Sequence, residues 1–520
     1  MDIKRTGVNQ LKAGAALSYI SMALGYIISI VYTPLMLRLL GKSEYGLYNL
    51  VSSIVSYLGL LSFGFGSAYM RYFSIYKVNN DREKIARLNG MFLIVYTIIG
   101  VIAFFVGIIL VSNINFVLGK KFTITELNTA KILMAILVFN IALSFPASVF
   151  NSHIIANEKF IFNKIMQMLK TLLNPFITLP ILLMGYGSIG LVLVTTIINI
   201  VVEVSNSIYC FKKLNIKFAF NKFDFKLMKE MTIFSSYVFI NMIIDQINWN
   251  VDKFILGRYR GTGSVAVYGL AAQLNTYYLS LSTAISNVFI PRVNRMVATN
   301  NSNNELTSLF TRVGRIQFIL LSLICSGLIF LGQPFISMWA GSEYLEAYPI
   351  VLLLVIPVTI PLIQNIGIEI QKAKNMHQFR SWIYLAVAMI NTCISIPLAK
   401  EYGGVGAAIG TAIALLFGNG LIMNWYYHNK VGLNIRYFWS QILKLIPAIL
   451  PNIAFGVIIN FFVDLYNIVL FLICGIAYIM VFCISMWYFG MNEYEKELVG
   501  KPIARVFTKI KLYSEKKFSI

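Results

Sequence analysis

The feature that most constrains this chain is a succession of long apolar runs, each about the length needed to cross a bilayer as a helix, which is roughly 20 residues. Fourteen can be read, near 14–37, 45–69, 90–113, 127–150, 165–184, 188–210, 231–255, 264–290, 315–337, 344–370, 380–399, 403–428, 442–463 and 467–489. The break at Gly185 to Gly187 and the polar eighth run are the least marked. Only 12% of the 520 residues are charged, against 58% hydrophobic, and the mean hydropathy is +0.74. A water-soluble chain carries about 25% charged residues. No soluble fold has enough interior to hide this much apolar surface. The expected fold class is therefore all-α: a polytopic membrane protein of about fourteen transmembrane helices.

The net charge of +22 could suggest a nucleic-acid partner, but the basic residues lie in the gaps between apolar runs instead of on one face. Of the 43 Lys and Arg residues, 33 fall in the amino-terminal segment, in the loops after even-numbered spans and in the tail. Basic loops stay on the cytoplasmic side. This predicts both termini in the cytoplasm of a multi-pass protein of the cell inner (plasma) membrane, with no nucleic-acid role. The first run lacks a small-residue cleavage site and reads as an uncleaved anchor. Loops after odd-numbered spans are short, and the others reach roughly 20 residues, too small for a folded domain. An enzyme needing a sizeable catalytic loop is disfavoured, and any function must lie among the helices. The five cysteines sit in or beside apolar runs without a CxxC pair, and the three histidines are far apart. No metal site and no cofactor are expected.

An internal repeat runs through the chain at an offset of 216. Tyr186, Gly187 and Gly190 open the sixth span, and Tyr402, Gly403 and Gly406 open the twelfth. Thr195 aligns with Thr411, Ile197 with Ile413, and Leu40–Gly41 with Leu256–Gly257. Spans 1–6 and 7–12 thus read as two like-oriented six-helix units, the parallel repeat of many transporters. The expected division is an N-terminal lobe over 1–215, a C-terminal lobe over 216–430, an appended pair of spans over 431–490 and a basic cytoplasmic tail over 491–520.

Several local stretches occur in order. They are Leu40, Gly41, Glu44, Tyr45 and Gly46 after span one; Phe63, Gly64, Gly66 and Ala68, then Arg71 and Tyr72, leaving span two; Asn250, Asp252, Lys253, Leu256 and Gly257 ending span seven; and Pro291 with Arg292 ending span eight. With this layout the chain resembles the multidrug/oligosaccharidyl-lipid/polysaccharide exporter superfamily, and within it the Wzx-type flippases of lipid-linked oligosaccharides. The resemblance implies two helix bundles around a central cavity, an undecaprenyl-pyrophosphate-linked saccharide as cargo, and drive by an ion gradient or membrane potential. Members often carry an Asp before the glycines near the end of span two, where this chain has Phe63.

Charge at membrane depth is costly and usually faces a cavity. Asn241, Asp245, Asn248 and Asp252 share one face of span seven, and span one at the repeat offset carries Ser29, Tyr32 and Met36 instead. Asp245 and Asp252, with Glu203, are the candidate H⁺- or Na⁺-coupling acids, and Lys253 is a possible partner. Gln273, Thr276, Ser280, Thr283 and Asn287 form a polar face on span eight, suited to a sugar path or to helix–helix hydrogen bonding. Arg71, Lys170 beside Asn174, and Arg292 lie toward the cytoplasmic ends, where Arg can grip a pyrophosphate bidentately. The candidate substrate contacts are thus Arg71, Lys170, Asn174, Lys253, Gln273 and Arg292. The leading function is transport of a polyprenyl-pyrophosphate-linked oligosaccharide across the membrane. The alternatives are a cation-coupled multidrug antiporter of the same superfamily and a lipid II flippase.

Overall fold

A computed structural model describes residues 10–500 apart from 120, 221, 222, 300, 377 and 499. Lys4 and Arg5, and residues 501–520 of the expected tail, lie outside the described residues. All regular structure among the described residues is helical.

Among the described residues, ten helices are long and apolar enough to cross a membrane. Two of them each join two expected spans at a non-helical glycine, Gly41 in Gln10–Ser56 and Gly403 in Gln378–Leu415. The pair Ala347–Ile363 and Asn365–Ala373, bent by 42°, supplies another span. The polar Thr262–Ala298 completes the expected fourteen. The break at Gly185 is present, between Phe160–Leu183 and Gly187–Lys212.

Burial is inverted relative to a soluble helix. In Arg82–Ser112 the buried positions include Tyr96, Gly100, Ala103 and Gly107, whereas Ile98, Val101, Ile102, Phe105 and Ile109 are exposed. Small residues let helices approach and large apolar ones face lipid, as expected in a bilayer.

The loops after even-numbered spans are shorter than the sequence suggests, because the helices run on past the apolar core. Thr262–Ala298 and Asn303–Ala340 have 37 and 38 residues, about 55 Å at 1.5 Å per residue. Side-chain caps allow such close restarts. Asp81 accepts from the Lys84 amide at 3.0 Å, Asp224 from Leu227 at 2.9 Å, and Ser302 from Glu305 at 3.3 Å.

Span two differs from expectation. Its helix tightens over Tyr57–Ser62 and breaks at Phe63 (φ 52°) and Gly64 (φ 71°) before resuming as Phe65–Val78. A Cβ on Gly64 would collide with the Val238 side chain, while the Phe63 ring stacks on Phe239 at 4.5 Å. Packing against span seven (Phe225–Arg260) thus accompanies the break.

The chain divides into two compact units, one of 1–272 with 383–411 and one of 273–382 with 412–520. In the first unit, span seven lies along Gln10–Ser56 and Phe65–Val78. Arg258 donates to the Phe116 and Val117 carbonyls at 2.9 and 3.3 Å, and Arg260 to those of Ala399, Lys400 and Glu401. These bonds satisfy helix-terminal carbonyls that have no intrahelical partner, and they tie the end of span seven into the first unit. The repeat is visible locally. Gly187 and Gly403 take positive φ (53° and 59°) at the same register, a conformation that costs any residue with a Cβ. Thr195 donates to Asn174 at 3.3 Å between spans five and six, and Asn391 donates to Thr411 at 3.3 Å between spans eleven and twelve.

In the second unit the appended spans are anchored by a buried ion pair. Arg315 binds Glu495 bidentately at 2.6 and 2.9 Å, and its remaining donors reach the Gln441 and Gly490 carbonyls at 2.7 and 2.9 Å. The Asn492 amide also donates to Glu495. Removing one partner of such a pair strands the other charge and costs about 3–5 kcal/mol. Arg315→Met should therefore lower the detergent melting temperature strongly and expose the 491–500 segment to protease. Arg315→Met combined with Glu495→Leu should recover much of the loss, and a double variant as unstable as the single would contradict this account.

Candidate functional site

Four helices of the first unit line an open cavity of about 390 Å³. Its walls repeat at helical spacing. Ser52, Val55 and Ser56 come from span two; Leu137, Asn140, Ile141 and Ser144 from span four; Lys170 from span five; and Asn199, Val202 and Glu203 from span six. Residues at i, i+3, i+4 and i+7 form one helix face, so spans two, four and six each turn a partly polar stripe to the cavity, and span five adds Lys170.

Two sequence-expected site residues, Lys170 and Glu203, meet here. They line the same cavity without closing to an ion pair among the described residues. Asn140 donates to Thr196 at 3.1 Å, which fixes its amide. Gln246 of span seven donates to Ser56. The Asn199 Oδ1 is buried with no hydrogen-bond partner, an orphaned acceptor of the kind that marks a ligand-facing wall. A cation, an acid, amides and hydroxyls together suit a neutral polyhydroxy group better than a bare anion, because Glu203 offsets Lys170.

Asp252 occupies a different place. It is 3% exposed and accepts from the Tyr268 hydroxyl at 2.5 Å and the Thr411 hydroxyl at 3.0 Å. The shell continues through Asn391, which donates to Thr411, and Ser395, whose hydroxyl donates to Asn391 Oδ1 at 3.0 Å. A buried carboxylate needs such donors to offset lost hydration. Asp245, two turns earlier on span seven, is exposed where Asp252 is buried. Lys253, named as one partner option for the acids of span seven, forms no ion pair among the described residues.

The remaining expected residues are dispersed. The Asn174 side-chain Oδ1 accepts from both Thr178 and Thr195, a junction between spans five and six. Arg71 is exposed with its guanidinium 4.8 Å from the centre of the Phe234 ring. Gln273, in the second unit, donates to the Tyr277 hydroxyl one turn on. Arg292 lines a separate cavity of about 440 Å³ in that unit with Arg295 and Arg312. Sequence reasoning missed Asn140, Asn199 and Ser395. Asn140, with Ile141 and Ser144, does follow a helical repeat that could have singled it out.

A helical polytopic fold with charged and amide-lined cavities among its spans is that of a membrane transporter. Residues 11–297 match the family described as "Polysaccharide biosynthesis protein", and the chain belongs to that family. It is 22% identical to an O-antigen transporter of Shigella flexneri over 78% of this chain and 94% of the relative. Among solved structures it resembles the lipid II flippase MurJ in an inward closed conformation, with TM-score 0.69 and 18% identity over 91% of this chain and 97% of the other. It also resembles an inward-facing multidrug transporter of the MATE family, with TM-score 0.64 and 13% identity over 82% and 99%. These two likenesses establish a shared fold.

Lys170 and Glu203 should be energetically coupled through the cavity. A double-mutant cycle with Lys170→Met and Glu203→Gln, read by thermal unfolding in detergent, should give a coupling of about 1 kcal/mol. Strictly additive effects would mean that the two charges do not sense each other.

Proposed function

We propose that this protein flips a polyprenyl-diphosphate-linked oligosaccharide from the cytoplasmic to the outer leaflet of the plasma membrane, by alternating access, for assembly of a cell-surface polysaccharide. The observation that carries this reading is membership of a polysaccharide biosynthesis family in a chain whose fold is that of a transporter. The O-antigen transporter likeness over most of both chains points the same way. Both termini would face the cytoplasm, as the loop charges imply. The protein would be a transporter and not an enzyme, with membrane lipids and the lipid-linked saccharide as its partners.

The cavity of span two and spans four to six would receive sugar hydroxyls at Asn140 and Asn199, with Lys170 and Glu203 holding its charge balance. Cationic side chains at helix ends, Arg71 and Arg292 among them, would meet the diphosphate, since guanidinium and phosphate pair bidentately. The MurJ and MATE folds also carry the alternatives of lipid II transport and cation-coupled drug export. A reconstituted assay separates the three. Vesicles holding the full-length protein should translocate a defined undecaprenyl-diphosphate oligosaccharide, and clean deletion in the source cell should accumulate lipid-linked units in the inner leaflet. Efflux of cationic dyes without lipid translocation would replace this reading with the antiporter.

Asp252 would bind the coupling cation, H⁺ or Na⁺. Its carboxylate lies within a cluster of hydroxyl and carbonyl oxygens from Tyr268, Thr411, Ser395 and Asn391, and hard cations prefer oxygen ligands. Asp252→Asn should abolish the dependence of transport on the Na⁺ or pH gradient while preserving the melting temperature within a few degrees. Undiminished gradient dependence in this variant would remove Asp252 from the coupling step.

A further inference from the structure

The turn joining spans eight and nine forms a cationic pocket that the family resemblance does not assign. The last turns of Thr262–Ala298 contribute Arg292, Arg295 and Thr299, and the first turns of Asn303–Ala340 contribute Glu305, Ser308 and Arg312. Positions 292, 295 and 299 share one helix face, as do 305, 308 and 312, so the two faces oppose each other across about 440 Å³.

Three guanidinium groups around one cavity repel unless an anion joins them. The acid that lines the pocket among the described residues does not neutralise them. Glu305 is drawn to the turn, accepting from Asn301 at 2.6 Å, and it ion-pairs with none of the three arginines among the described residues. Arg312 is half-buried and held in place, its guanidinium 4.3 Å from the Tyr494 ring centre. Arg292 and Arg295 are exposed at the mouth. Thr299, meanwhile, is fixed by its bond to the Arg295 carbonyl at 3.0 Å. Arg312 and Thr299 are thus held in place at the wall, and the three guanidinium groups together offer the chemistry of a multidentate oxyanion receptor.

We propose that this pocket binds the phosphate groups of a lipid headgroup, with the acyl or prenyl chain remaining in the bilayer beside spans eight and nine. The chemistry is common to an acidic phospholipid and to a lipid diphosphate, and only the second source rests on the transport reading above. The receptor itself rests on the residues of this turn.

The test uses the full-length protein in detergent and native mass spectrometry with added phosphatidylglycerol, phosphatidylcholine or undecaprenyl diphosphate. Wild type should retain the two anionic lipids over phosphatidylcholine, and inorganic pyrophosphate should displace them. The combined variant Arg292→Ala, Arg295→Ala, Arg312→Gln should lose retention by at least about tenfold. Glu305→Gln should move the other way and strengthen it, a gain that misfolding cannot produce. Preference for the diphosphate names the cargo as the source, and equal retention names the ambient acidic lipid. Either result supports the site. Equal retention of phosphatidylcholine by wild type, or anionic retention unchanged in the combined variant, overturns it. Wild-type protein that binds anionic lipid in this pocket yet flips no saccharide would refute the transport reading and leave the pocket standing.

Discussion

The structure depends on one constraint: within a bilayer every backbone N–H and C=O must find a partner inside the protein. Uninterrupted helices meet it locally, and most of this chain does so. The informative places are those where a helix breaks and other groups take over. At Phe63 the backbone amide turns back to the Leu60 carbonyl at 3.0 Å. Between Ile363 and Asn365 the tenth span bends, and Gln364 donates to Asn424 at 2.8 Å. Span twelve widens there into i→i+5 turns over Leu416–Met423 and Tyr427–Val431. Asn424 itself donates to the Asn419 and Gly420 carbonyls and accepts from Trp439. One amide thus compensates carbonyls in span twelve and couples them to the bend in span ten. Wide turns of this kind are frequent at functional sites.

The same rule governs the charges. Arg315 and Glu495 are buried together and hydrogen-bonded to each other and to neighbouring carbonyls, and Arg258 and Arg260 spend their donors on helix-terminal carbonyls. These groups differ in kind from the arginines of the turn between spans eight and nine, which form no ion pair among the described residues. The distinction separates architecture from recognition. A charge whose hydrogen bonds are complete holds the fold, whereas a cluster of like charges with open donors awaits a ligand.

The asymmetry between the repeats has a physical basis at equivalent positions. Thr195 and Thr411 both reach an asparagine across the neighbouring span, Asn174 and Asn391. Only Thr411 also reaches an acid, because span seven carries Asp252. One scaffold thus presents a neutral junction in the first repeat and an acidic one in the second.

The sequence by itself determined the number of spans, their order and the side that collects the basic loops. Each of these follows from local apolar length and charge, which a single segment carries. It also determined the register of the repeat, since Gly187 and Gly403 must sit where a side chain would be strained. Only the tertiary structure decided which polar residues act together. Lys170 and Glu203 are 33 positions apart in sequence and share a cavity, whereas Asp252 and Lys253 are adjacent and do not pair. It likewise showed that Asn174 is occupied in a junction and that Arg292 has Arg295 and Arg312 as companions. Helical periodicity tells which residues share a face, but only packing tells what that face meets, and contacts of that kind are set by the whole fold.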